Sequence, residues 1–147
     1  MPIINDMGYG KFNVVRGWPG EGSIFLDLPY SGTIEYGDPV RLDPTTGKVV
    51  KAASAADAGF LGFAIGGDVE PNVYGTGKVT VLMSPFVADT KKYNTATAFQ
   101  PGDVITVVNG VIDKYDPAAT PAQEPIGIVI SVDSASQTLR FLFKGTK

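Results

Sequence analysis

Apolar and polar residues alternate along much of this chain with a period of two, in short runs broken by Gly, Pro, Asn and Asp. Val40 and Leu42 share one face of such a run and Arg41 takes the other; further on, Val104 and Thr106 oppose Ile105 and Val107. A period of two marks a half-buried strand. Each run leads into a hairpin signal. The first is Asp43-Pro44-Thr45-Thr46-Gly47, where Pro sets φ at the second turn position and Gly accepts left-handed backbone. The second is Asn109-Gly110, the strongest two-residue hairpin signal. Lys48-Val49-Val50 and Val111-Ile112 are the return strands. Leu61-Gly62-Phe63-Ala64-Ile65 and 126–130 read as buried strands, each with a glycine that allows close backbone approach or a bulge. Lys78-Val79-Thr80-Val81-Leu82 and Thr138-Leu139-Arg140-Phe141-Leu142-Phe143 alternate again, with Val79, Val81 and Met83 facing inward in the first. Helix is disfavoured between them. The Ala-rich stretch 51–59 is short and has no large apolar stripe, and its counterpart 116–125 carries Pro117, Pro121 and Pro125.

These elements occur twice in the same order. Gly37-Asp38 and Gly102-Asp103 open the two copies, and Gly62 and Gly127 sit in their buried strands. The spacing agrees at both anchors, 102 − 37 = 65 and 127 − 62 = 65. At the hairpins it drops to 110 − 47 = 63, as expected where strands are kept and loops drift. The predicted fold is all-β: a small β-barrel or sandwich built from two related hairpin-plus-strand copies, packed as one domain. Copy one covers 37–88, a linker 89–101 and copy two 102–147. Residues 1–36 read as an extended amino-terminal arm outside both copies, with short strands near Phe12 to Val15 and Ser23 to Leu28. The tail 144–147 is predicted to fray.

Composition narrows the chemistry. The chain has 147 residues, no Cys and no His, which removes thiol chemistry, the commonest metal ligand and the usual general base near neutral pH. Twelve basic and 15 acidic residues are spread along it, with no basic patch of the kind nucleic acids select. No run reaches the ~20 apolar residues of a membrane helix, and Met1 to Asp6 lack the charged and apolar regions of a secretory signal. No phosphate-binding loop or nucleophile elbow is present. Asp38, Asp43, Asp103 and Asp116 sit at turn positions, where hydrogen bonding to the turn backbone is their ordinary role, in place of catalysis or calcium binding. No catalytic residue, cofactor or metal is expected, and an enzyme is not. Lys91-Lys92 reads as part of a solvated loop. Trp18, flanked by Arg16 and Pro19 among glycines, is an interface candidate, because Trp and Arg are enriched at binding hot spots; the other reading is that it caps the core.

The pattern Gly-Asp-x-Val-x-Leu, Gly-Lys-Val-Val, an Ala-rich loop, Leu-Gly-Phe-Ala-Ile and Gly-x-Val-x-Val resembles the capsid decoration, or cement, proteins of tailed bacteriophages. It is carried by Gly37, Asp38, Val40, Leu42, Gly47 to Val50, Leu61 to Ile65 and Gly77 to Leu82, and recurs more loosely from Gly102 to Phe143. The resemblance implies a virion structural protein, made in the host cytoplasm. It would bind the outer surface of the assembled capsid at junctions of the major capsid protein, as a homo-oligomer, a trimer before a dimer, with no nucleic acid or membrane partner. Phe12, Arg16, Trp18 and Tyr30 are the candidate capsid or protomer contacts, with Phe12, Trp18 and Tyr30 as anchors of the arm. Two other classes compete. One is a carbohydrate-binding β module of a tail or secreted protein that stacks sugars on Trp18, Tyr74 or Tyr93. The other is a hydrolase similar to the trimeric dUTP pyrophosphatases, suggested by Gly110-Val111-Ile112-Asp113-Lys114-Tyr115. There Asp113 and Tyr115 are one residue too close, and the Arg-Ser-Ser phosphate motif and Gly-rich carboxy-terminal arm of that family are missing.

Overall fold

The computed structural model describes residues 12–17 and 23–146. Its elements are β1 (Phe12–Arg16), β2 (Phe25–Pro29), β3 (Pro39–Leu42), β4 (Val49–Lys51), β5 (Phe60–Gly67) and β6 (Lys78–Leu82). They continue with β7 (Phe86–Thr90), β8 (Val104–Val108), β9 (Val111–Lys114), β10 (Gly127–Asp133) and β11 (Thr138–Phe143). No helix forms among the described residues. The strands make two antiparallel sheets, ordered β1-β7-β11-β10-β8-β9 and β2-β6-β5-β3-β4. The sheets pack face to face as a sandwich, and neither closes into a barrel. Both hairpins form where turn chemistry places them. Asn109 and Gly110 take φ of 53° and 79° between β8 and β9, and Gly47 takes 71° between β3 and β4.

Aromatic side chains fill the space between the sheets. Phe63 of β5 reaches across to Phe86, Phe141 and Phe143, with ring centroids 5.5, 5.6 and 5.2 Å away. Phe12 of β1 closes the group at 6.0 Å from Phe63 and 5.7 Å from Tyr36. The edge-on and tilted geometries suit the ring quadrupoles, which adds to the gain from burial.

The duplication extends to individual bonds. In strand order, β6-β5-β3-β4 matches β11-β10-β8-β9. Val40 pairs with Gly62 as Ile105 pairs with Gly127. A bulge separates Ala64 from Gly66 in β5, and the same bulge separates Val129 from Ser131 in β10, again 65 residues on. Each Gly-Asp turn is built alike. The Gly37 N–H donates to Ala64 C=O and the Gly102 N–H to Val129 C=O, while the Asp38 and Asp103 carboxylates accept the N–H groups of Glu35 and Gln100 at 2.8 Å. A Cβ on Gly62 would lie 2.3 Å from Leu82 O, and one on Gly127 1.8 Å from Leu142 O. These are the close approaches that the two glycines were expected to allow.

The repeat also begins earlier than the sequence indicates. β2 lies against β6 as β7 lies against β11, so Leu26 (opposite Val81) corresponds to Ala88 (opposite Phe141), and Leu28 to Thr90. Tyr30 bridges to Val49 in parallel as Tyr93 does to Ile112. Residues 23–36 therefore belong to the first copy, and β1 joins the six-stranded sheet. The described parts of the expected arm are thus integral strands. The expected linker opens inside β7 and then runs along β9, where Asn94 N–H donates to Ile112 C=O. The described part of the tail, 144–146, is docked, not frayed: the Thr146 N–H donates to Met83 C=O at 2.8 Å and its hydroxyl to Leu61 C=O.

Candidate interaction surface

The residues singled out as contacts do not form one surface. Phe12 is 1% exposed at the centre of the aromatic core, so it offers nothing to a partner, and its selection as a contact is corrected. Its alternation with Val14 makes it the core-facing residue of β1, which sequence alone read as part of an arm. Arg16 is exposed at the end of β1, and Trp18 lies outside the described residues. Tyr30 is half-buried and donates its hydroxyl to Asp68 at 3.3 Å; burial and the adjacent carboxylate raise its pKa.

Carboxylates serve the fold. Asp43 and Asp116 accept the N–H groups of Thr45 and Ala118 in their turns, as Asp38 and Asp103 do in theirs. Asp113 accepts from the Asn94 amide at 3.0 Å and the Thr97 hydroxyl at 2.7 Å, which ties the 91–101 segment to β9. Asp38 is 1% exposed, and its second oxygen faces the ammonium groups of Lys92 at 3.3 Å and Lys51 at 3.7 Å. Lys92 also pairs with Glu35 and is largely buried, so it is not the solvated residue expected. Among the described residues, no group of three or more acidic side chains could hold a metal ion.

Asp68 builds a display loop. Burial alone would raise its carboxyl pKa, but N–H donors from Gly77, Thr76 and Tyr74 and the Thr76 hydroxyl lower it to about 2. Several N–H bonds converging on one carboxylate favour its charged form. They also fix the 70–77 loop, which carries Val73 and Tyr74 at 47% and 67% exposure. Tyr93 is 8% exposed and packs on Phe99, so no sugar can stack on it.

Among the described residues, five of the seven exposed large apolar side chains lie at β2 or on the 70–77 loop, while Val104 and Ile130 lie on the six-stranded sheet. Ile24, Phe25 and Leu26 are 59%, 41% and 48% exposed along β2. Tyr30 and Asp68 link the end of that strand to the Val73-Tyr74 loop. An exposed, apolar sheet edge is a template for association. The sequence signal was present in the alternation of Ile24, Leu26 and Leu28, but it reads equally as a covered strand. A cleft of about 460 Å³ lies elsewhere, where the 55–60 turn of the first copy meets residues 124–126 and Lys144. It joins two backbone turns and brings together no reactive constellation.

Comparison with known protein families and with curated proteins returns no match.

Proposed function

We propose that this chain is a decoration protein of a tailed-phage capsid. It binds the outside of the assembled shell at junctions of the major capsid protein, as a homo-oligomer, and acts by binding without a chemical step. The observation that carries this reading is the residue pattern of the Gly-Asp strand unit. Its residues resemble the decoration family, and they are the same residues that build the repeated sheets, from the Gly37-Asp38 turn to β6. A ligand that binds only the assembled shell stabilises it by mass action, by about 2.7 kcal/mol at a hundred times its dissociation constant. An oligomer gains further through simultaneous attachment. With Phe12 buried and Tyr30 engaged by Asp68, the contact set proposed for the capsid reduces to Arg16 and Trp18 at the β1–β2 connection.

Co-sedimentation with expanded capsids that lack the protein tests the reading. The expected outcome is saturable binding at a simple ratio to the major capsid protein, with a raised capsid melting temperature. The double substitution Arg16→Ala and Trp18→Ala is expected to weaken binding at least about thirtyfold, equivalent to one hot spot. Absence of binding by a folded protein would overturn the reading.

A further inference from the structure

The two copies differ at one edge. In the six-stranded sheet β7 is flanked on its outer side by β1, with Val14 opposite Ala88 and Phe12 opposite Thr90. In the five-stranded sheet β2 occupies the place of β7, and among the described residues no strand lies beyond it. Exposure follows this difference. Phe86, Ala88 and Thr90, on the core-facing side of β7, are 2%, 0% and 1% exposed. Their counterparts are Ile24, just before β2, and Leu26 and Leu28 within it. Ile24 and Leu26 are 59% and 48% exposed, although Leu26 stands in the same row as Val81, which is fully buried. The buried row of Val79 and Val81 therefore continues onto β2 and stops there, uncovered by any described residue. Among the described residues the backbone edge of β2 is open as well. Met83 N–H donates to Ile24 C=O at 2.9 Å. Alternation then turns the main-chain groups of Leu26 and Leu28 towards β6, and those of Phe25 and Asp27 outward.

We propose that the missing sixth strand is supplied by β2 of a second copy, paired antiparallel across a two-fold axis at Leu26. The β1–β7 pair shows what the place accepts: an antiparallel strand of five residues with apolar side chains at alternate, core-facing positions. β2 has that pattern and is complementary to itself. Leu26 meets its own copy, Ile24 meets Leu28, and the outward main-chain groups of Phe25 meet those of Asp27. The row Ile24, Leu26, Leu28 then runs unbroken through both molecules, continuous with the buried Val79 and Val81 of each. A closed pair uses up the edge, and a two-fold contact between identical patches is the commonest route to a homodimer. Five paired residues fall short of the ~800 Å² per partner of a standard interface, so dissociation in the micromolar range is expected. The inference names the self-association surface of the homo-oligomer proposed above. It does not depend on capsid binding.

Because the chain has no cysteine, Leu26→Cys is a clean probe. Directly opposed residues in a pair without mutual hydrogen bonds have Cβ atoms about 4.5–5.5 Å apart, close enough for a disulfide after small adjustment. Mild oxidation should link Leu26→Cys into covalent dimers and leave Phe25→Cys and Asp27→Cys monomeric, since those two oppose each other and not themselves. Unmodified protein at about 100 µM should sediment at twice the monomer mass. Leu26→Lys should sediment as a monomer, with an unfolding midpoint that does not change with protein concentration and matches that of the wild type diluted below its dissociation constant. A wild-type monomer at that concentration overturns the proposal, whether the thiol of the Leu26→Cys variant labels slowly, with the chain's own residues covering it, or fast. So does a dimer that cross-links equally at all three positions. The isolated protein is used throughout, so a failure here is distinct from a failure to bind capsids.

Discussion

Single glycines fix how closely the strands of each copy approach. Gly127 sits where any side chain would meet the Leu142 carbonyl, and Gly62 where one would meet that of Leu82. Gly127→Ala is expected to lower unfolding free energy by about 3 kcal/mol in urea titration, because the carbonyl in contact belongs to a paired central strand that cannot yield. Gly102→Ala, where no atom lies within 4 Å of the added carbon, tests backbone strain alone at φ 90° and should cost less. These glycines were legible in the sequence, since an invariant spacing of Gly within two buried runs has a local meaning. Phe12 was not. Its burial depends on which strand β1 pairs with, and nothing within its own segment specifies that.

Among the elements, the 70–77 loop depends on one carboxylate. Asp68 has a pKa of about 2 in the fold against 3.8 ordinarily. A depressed folded value means the unfolded chain binds the proton first, so stability is full above the ordinary value and falls as pH drops through the folded one. Urea unfolding followed from about pH 4 to pH 2 should show that decline. Asp68→Asn should flatten it and lower stability at neutral pH. Asp103 and Asp133 also have lowered values, through backbone and side-chain donors, and set the remaining slope. The hairpins and the strands from β3 to β6 and β8 to β11 were readable from period-two alternation and turn residues, both local signals. The β2–β7 correspondence was not. The spacing there is 88 − 26 = 62, not 65, and core-facing leucines in one copy answer to Ala88 and Thr90 in the other. What survives is Asp27 with Asp89, each engaging the facing strand, at Thr80 and at Arg140.

At the scale of the whole molecule, the two copies are locked by an ion cluster that crosses between them. Lys92, on the segment leading to β8, reaches Glu35 and Asp38 at the opening turn of the first copy. Lys92→Met leaves a nearly fully buried carboxylate with Lys51 alone, and should cost about 3 kcal/mol, the low end for breaking a buried pair. Lys91→Met, on an exposed neighbour, should stay within about 0.5 kcal/mol. Differential scanning calorimetry of the two variants separates them. Two lysines in series read as solvated by composition, and only the tertiary path of the chain distinguishes them. The repeat also carries its own record of tolerated length. From Asp68 to Lys78 the first copy takes ten steps, while from Asp133 to Thr138 the second takes five, yet the flanking strands keep the same register. A tip that has already been lengthened without disturbing its sheet is a grafting site. Foreign peptides inserted at Ser134 to Gln137, the counterpart of that tip in the second copy, would be carried on a rigid scaffold without shifting the register of β10 and β11.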